Sequence, residues 1–285
     1  MELTNPKELR SLLERHGFRF SKGLGQNFLI DASVPRRIAD FSELDERHWV
    51  LEIGPGVGCL TRELAERAGR VTAVEKDDRL VPVLAETLAG YDNVSVVNLD
   101  FLKLDLEQLA AEHSGGLTPV VCANLPYNIT SPILAKLLES RLFESITVMI
   151  QREVAERLCA EPNTSDYGSF TVFVNWHSEP EILFSVSPSC FMPPPKVTSS
   201  VIRLRTRKNA PAEVPSEELF FRVVRASFAQ RRKTLANALA AGLGGISKDD
   251  IARAIAAAEL PERVRGEVLG IPEFANLARI LYGEK

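Results

Sequence analysis

Asn124-Leu125-Pro126-Tyr127 follows a short apolar run, and its residue types suit one reaction, attack by a planar exocyclic amine. Such an amine is a poor nucleophile because its lone pair is delocalised into the ring. The Asn124 side-chain oxygen and the Leu125 backbone carbonyl can each accept one N–H. That favours a pyramidal nitrogen whose lone pair points at an electrophilic methyl carbon. Pro126 stiffens the turn, and Tyr127 offers a face on which a base can stack. No acid–base dyad is required before attack, because positioning supplies much of the catalysis. Taken alone the four residues also describe a proline turn with a buried tyrosine, so their neighbours decide the reading.

Upstream, Glu52-Ile53-Gly54-Pro55-Gly56-Val57-Gly58 sits where a strand hands over to a helix. Glycines there let the backbone approach a ligand closely. A dinucleotide fingerprint wants a third glycine at position 59, which is Cys59. Pro55 also removes an amide that a phosphate cradle would use. A nucleoside without phosphates suits this loop better. Glu75, twenty-one residues after Gly54, is spaced to accept hydrogen bonds from both ribose hydroxyls of such a ligand. Asp100 closes the next strand, where it can accept from an adenine amino group. Each acid alone also fits a helix cap or a solvated loop; three successive strand ends carrying Gly54, Glu75 and Asp100 fit a ligand crevice.

These positions require a particular scaffold. Trp49–Ile53, Val71–Glu75, Val94–Leu99, Val120–Ala123 and Ile146–Ile150 read as short buried strands. Helical patterns lie between them, over about Leu60–Arg67, Arg79–Leu88 and Pro132–Leu138. Apolar strands alternating with helices imply βαβ units and a sheet covered on both faces. Asn5-Pro6-Lys7-Glu8 opens an N-terminal helix, with Glu8 placed to reach back to the Asn5 cap. Lys22 to Leu29 is too glycine-rich for an element interior and reads as a loop. After Gln151 a helix runs from Arg152 to Cys159, and Phe170–Trp176 and Val201–Leu204 read as strands of an antiparallel end to the sheet. A linker begins near Asn209-Ala210-Pro211, and the chain beyond it is helical, with Ser247 capping one helix and Pro272 starting another. The expected division is a larger α/β domain over residues 1–208 and a small helical one over 209–285.

Composition narrows the class. The 285 residues are 45% hydrophobic and 25% charged, which excludes a disordered chain. No apolar run approaches the roughly 18–20 residues needed to cross a bilayer. The N-terminus lacks the basic start and apolar stretch of a signal peptide, so a cytoplasmic location is expected. Cys59, Cys122, Cys159 and Cys190 are scattered, as are the four histidines, so no metal site is expected. The net charge of −4 hides a division. Sixteen acidic residues face seven basic ones from Asp40 to Thr118, whereas ten basic residues face three acidic ones from Lys196 to Ala240. Basic ends around an acidic middle suggest a surface for a polyanion.

The chain resembles the ribosomal RNA adenine dimethyltransferase family, S-adenosylmethionine enzymes that act on small-subunit rRNA. Five ordered stretches carry the resemblance: Gly25-Gln26-Asn27-Phe28-Leu29, Glu52-Ile53-Gly54-Pro55-Gly56, Asn124 to Ile129, Phe191-Met192-Pro193-Pro194-Pro195-Lys196-Val197, and Phe228 to Thr234. They span almost the whole sequence. The resemblance implies a Rossmann-like α/β fold of the class I S-adenosylmethionine-dependent methyltransferases with a small C-terminal all-helical domain. It implies that Asn27, Leu29, Gly54, Glu75, Asp100 and Asn124 line the S-adenosylmethionine pocket. Gln26 to Leu29 would fold over the cofactor, and Tyr127 and Phe191 would sandwich a flipped adenine. Arg231, Arg232 and Lys233 would contact rRNA through its phosphates. The lead-in Lys22-Gly23-Leu24 is less basic and aromatic than the family pattern.

The expected reaction is transfer of methyl groups to N6 of two adjacent adenines, twice each, in the 3′-terminal hairpin of small-subunit rRNA within a pre-ribosomal particle. Nothing in the sequence demands more than a monomer. The alternatives are a large-subunit rRNA adenine methyltransferase of the antibiotic-resistance type, a non-catalytic ribosome-assembly factor on the same fold, and a nicotinamide oxidoreductase. Cys59 in the fingerprint and the lack of a histidine suited to hydride chemistry weigh against the last.

Overall fold

The computed structural model describes residues 1–18 and 26–283. The loop expectation for Lys22–Gly25 falls outside the described residues. The chain divides into two compact units. One comprises Met1–Ala155 with Glu179–Thr206, and the other Glu156–Ser178 with Arg207–Lys285. A linear cut at residue 209 would leave Glu156–Ser178 with the α/β domain, whereas this segment clusters with the helical unit.

The first unit is built on strands β1 (Phe28–Leu29), β2 (His48–Ile53), β3 (Arg70–Glu75), β4 (Val94–Asn98), β5 (Thr118–Asn124), β6 (Ser145–Gln151), β7 (Ser178–Val186), β8 (Phe191–Met192) and β9 (Ser199–Thr206). Seven of them form one sheet in the order β4-β3-β2-β5-β6-β9-β7. The first five are mutually parallel, and β9 joins β6 antiparallel, from Ser145↔Arg205 to Gln151↔Ser199. The apolar runs Val50–Ile53 and Val120–Ala123 are wholly buried, as central parallel strands require. Chain order reverses between β2 and β5, so their carboxyl ends flank a crevice, the usual ligand position in an open α/β sheet.

Helices α1 (Pro6–Arg15), α2 (Ser33–Phe41), α3 (Cys59–Ala65), α4 (Val81–Thr87), α5 (Leu106–His113), α6 (Thr130–Ser140) and α7 (Arg152–Leu158) connect the strands. In α1 the Asn5 side chain accepts from the amides of Lys7 and Glu8. Glu8 does not close a capping box: its Oε2 takes the Glu2 amide at 2.8 Å instead. Helix α5 lacks a wide apolar stripe, and its start is set by Asp105 accepting from the amides of Glu107 and Gln108.

The second unit contains α8 (Ser169–His177), α9 (Glu217–Ala229), α10 (Leu235–Gly242), α11 (Lys248–Ala257) and α12 (Ile271–Tyr282). The strand expected over Phe170–Trp176 is helix α8. A run of β-branched and aromatic residues fits a buried helix as readily as a strand, and tertiary packing arbitrates. Here Trp176 stacks on Phe220 with centroids 4.2 Å apart, and Phe173 meets Phe221 at 5.4 Å. Phe274, Leu277 and Ala278 of α12 complete that core. Among the described residues no helix is long and apolar enough to cross a membrane.

Candidate active site at the carboxyl ends of the central strands

The turn after β2 takes Gly54, Gly56 and Gly58 through φ of +71°, +60° and +90°. A Cβ at Gly56 would come within 3.2 Å of the Phe28 ring, so this loop is closely covered by the β1 segment. The Gly54 amide donates to the Val74 carbonyl at 2.9 Å, fixing the turn against β3. Together these segments wall a cavity of about 210 Å³. Asn27, Leu29, Gly54, Glu75, Asp100, Asn124, Leu125 and Tyr127 all line it. Eight residues that lie up to a hundred positions apart in the chain are thus gathered in one place.

The acids differ in their environments. Glu75 ends β3 and is only 7% exposed. Its Oε1 accepts the Asp77 amide at 2.8 Å. Burial pushes its carboxyl above the ordinary value, and the nearby backbone amides, that of Asp77 foremost, act in the other direction. Asp100 accepts the Leu102 amide at 3.1 Å and pairs with Lys76 at 2.9 Å, and Lys76 holds its carboxyl below the usual range. Two of the four lone-pair positions on that carboxylate are therefore committed in the protein alone.

Glu52 was not singled out by sequence reasoning. It stands inside the buried β2 strand, borders the cavity, and its Oε2 is buried with no hydrogen-bond partner. Burial pushes its carboxyl up to about 8, and the charge of Glu75 acts in the same direction. The signal was available: an acid embedded in an apolar strand directly before a glycine turn is costly to bury without a purpose.

After β5, the Leu125 amide donates to the Met149 carbonyl at 3.1 Å, and the Thr130 hydroxyl donates to the Pro126 carbonyl at 3.2 Å. These bonds hold the loop from both sides. The half-buried Asn124 side chain has no hydrogen-bond partner among the described residues, so its amide is available to a ligand in the cavity. Tyr127 lines the cavity, and its hydroxyl meets the Ser199 hydroxyl at 2.5 Å.

Phe191 does not itself line the cavity. It is 2% exposed and packs in a core cluster with Met149, Val201 and the cavity-lining Leu29. The cause is strand pairing: β1 and β8 lie antiparallel with Leu29 opposite Phe191 and Phe28 opposite Met192. A short ladder fixes which face each side chain takes. The other anchor of the β1 segment is Gln26, whose side chain donates to Asp77 at 2.7 Å. Asp77 in turn binds Arg79, whose guanidinium lies 5.0 Å from the Phe18 ring centroid.

In the second unit the three basic residues after α9 are not equivalent. Arg231 donates to the carbonyls of Ser165 at 2.8 Å and Tyr167 at 2.9 Å, and faces Glu267 at 3.7 Å. Its guanidinium is committed to holding this unit together. Arg232 and Lys233 are exposed, and their side chains make no hydrogen bond or ion pair to the described residues. No group of three or more histidine, cysteine, aspartate or glutamate side chains gathers among the described residues.

Comparisons with known proteins agree with this geometry. A family model described as ribosomal RNA adenine dimethylase matches residues 17–260. A protein of Geobacillus kaustophilus named ribosomal RNA small subunit methyltransferase A is 48% identical, covering 98% of this chain and 97% of its own length. Its namesake in Alkaliphilus oremlandii is 45% identical over 98% of both chains. Among solved structures, a dimethyladenosine transferase from Plasmodium falciparum superposes with a TM-score of 0.75 at 25% identity, covering 88% of this chain and 95% of that one. The 23S rRNA methyltransferase ErmE gives 0.69 at 32% identity, with coverage of 90% and 99%. The fold is thus the Rossmann-like α/β fold of class I methyltransferases, and the chain belongs to the ribosomal RNA adenine dimethylase family.

Proposed function

We propose that this protein dimethylates N6 of two adjacent adenines in the 3′-terminal hairpin of small-subunit rRNA, using S-adenosylmethionine, within a pre-ribosomal particle. The observation that carries the reading is the partnerless Asn124 amide on the wall of a cavity shared with Glu75 and Tyr127. Near-full-length similarity to proteins named small subunit methyltransferases supports the choice of ribosomal subunit.

The cavity suits a nucleoside with a positively charged tail. The orphaned Oε2 of Glu52 lacks a donor, and Glu75 retains lone pairs for ribose hydroxyls. Pro55 leaves the glycine turn without an amide at the second position, as a ligand lacking phosphates allows. Asn27, Leu29, Gly54, Glu75, Asp100 and Asn124 would hold S-adenosylmethionine, which when bound supplies an electrophilic methyl group on a sulfonium. Cys59 borders the cavity, and burial pushes its thiol up to about 12. It therefore stays protonated and does not compete for the methyl group.

The Asn124 side-chain oxygen and the Leu125 carbonyl accept the two N–H groups of the target amine, which turns its lone pair out of conjugation. Tyr127 supplies a face for the base. Phe191, opposite Leu29 in the β1–β8 ladder, helps hold the β1 segment over the glycine turn. Arg232 and Lys233 attract rRNA phosphates, and Arg231 presents them.

The test is transfer of labelled methyl from S-adenosylmethionine to purified unmethylated small subunits, with large subunits alongside and Asn124→Ala as control. Label is expected on small-subunit adenines and falls at least about 100-fold in the variant, the scale of losing one preorganised polar contact. Label on large subunits alone would favour the second reading, which the likeness to ErmE supports. No label on either, with cofactor binding intact, would assign the fold to assembly without catalysis.

A further inference from the structure

We propose that Ser199 is a positioning residue for Tyr127, and that the bond between their hydroxyls is needed most in the second methyl transfer to each adenine. The inference rests on the reading of Tyr127 as the surface on which the base stacks.

The geometry joins a fixed point to a movable ring. Ser199 is the first residue of β9, fully buried, and paired in register with Gln151 of β6. The Arg152 amide donates to the carbonyl of the preceding Thr198 at 3.0 Å, so the backbone is held on either side of the serine. Tyr127 opens a single 3₁₀ turn between β5 and α6 and is half-buried. Its aryl torsion has no sharp staggered well, so packing or a bond at the far end must set the ring plane. The Tyr127–Ser199 contact at 2.5 Å is that bond. Ser199 makes no other side-chain hydrogen bond to the described residues, and a buried hydroxyl left without a partner is costly. Each hydroxyl therefore needs the other. The adjacent Ser200 hydroxyl, also buried, has no partner and plays no such part.

The two transfers place different demands on this ring. An unmethylated amine carries two N–H groups, one for the Asn124 oxygen and one for the Leu125 carbonyl. After the first transfer a single N–H remains, and one of those two acceptors is left unused. Stacking on Tyr127 then supplies a larger share of the positioning. A ring that rocks should be tolerated in the first step and penalised in the second, because rates fall steeply with misplacement of the reacting atoms.

The experiment compares Ser199→Ala, Tyr127→Phe, the double variant, Ser199→Thr and Tyr127→Ala on unmethylated small subunits, resolving monomethyl- from dimethyladenine over time. Cofactor affinity is measured by calorimetry on the same preparations. In Ser199→Ala and Tyr127→Phe the second transfer is expected to slow about tenfold, and the first by no more than about threefold. Monomethyladenine then accumulates while cofactor affinity is unchanged. The double variant is expected to be no worse than either single one, because both remove the same bond. Ser199→Thr, which keeps the hydroxyl, restores the wild-type ratio. A wild-type ratio of products in Tyr127→Phe overturns the proposal, as do effects that multiply in the double variant or an equal loss of cofactor affinity. Tyr127→Phe removes the bond from the exposed side and decides the matter even if Ser199→Ala does not fold. Full activity in Tyr127→Ala would sink the stacking reading itself. Loss of activity there, with Tyr127→Phe unaffected, would sink only the role of Ser199.

Discussion

At the carboxyl ends of β2, β3 and β5, polar groups outnumber the protein partners available to them, whereas in the turn after α9 the cation Arg231 is engaged by its own unit. Glu52 keeps a buried oxygen unpaired and Asn124 an amide without a partner, beside an acid, Glu75, whose charge burial opposes. Arg231, by contrast, spends its donors on the carbonyls of Ser165 and Tyr167 and faces Glu267. A region that must bind a small ligand in a dry cavity stores unsatisfied polar groups at a cost in stability. A region that meets a polyanion in water needs only exposed cations on a rigid support, and Arg231 belongs to the support.

The sharpest way to break this contrast is to remove the stored cost. The Glu52 carboxyl stands at about 8 in the fold against an ordinary 4.5. Because the folded value is the higher one, its contribution is fully present below about pH 4.5 and is lost as pH rises towards 8. Glu52→Gln should therefore gain stability over the parent between pH 5 and 8.5, by a few kcal/mol at the alkaline end. Denaturant unfolding of both proteins across that range checks it, and a pH-independent gap would show that the cavity stores no such cost. The gain should come with weaker cofactor binding.

A smaller effect is expected at Glu75. Replacing it by alanine should weaken S-adenosylmethionine binding about 100-fold by calorimetry, as loss of charged hydrogen bonds to a ligand does. Affinity within threefold of the parent would remove Glu75 from the ligand's contacts.

The smallest effects separate the basic residues. Arg231→Ala should lower unfolding stability by about 1 kcal/mol, from the carbonyl bonds it forfeits. Lys233→Ala should leave stability unchanged and reduce the slope of log affinity for rRNA against log salt by about 0.7–0.9, the loss of one phosphate contact. A reversal of these two outcomes would overturn the division between support and contact.

Much of this was legible in the sequence. The buried runs of β2, β3 and β5 are largely apolar segments ending in a glycine turn, Glu75 and Asn124, so the strands and the side chains at their ends are read together. The terminal helix was marked by Pro272 at its start. Phe170–Trp176 failed because a short apolar run with β-branched and aromatic residues carries no period that separates a strand from a buried helix. Strand β7 went unread, since Ser178–Val186 mixes exposed acids with buried residues.

By itself the sequence determined the ordered motifs, the βαβ rhythm and the residue types at each strand end, because these depend on local spacing and backbone chemistry. Tertiary structure alone decided that Phe191 faces the core opposite Leu29, that Glu52 keeps an unpaired oxygen, and that Ser199 meets Tyr127. It also decided that Arg231 bonds carbonyls of its own unit while the Lys233 side chain is left without a partner among the described residues. Each of these is set by segments that lie tens of residues apart in the chain, brought together or kept apart by strand register and burial, which local sequence does not encode.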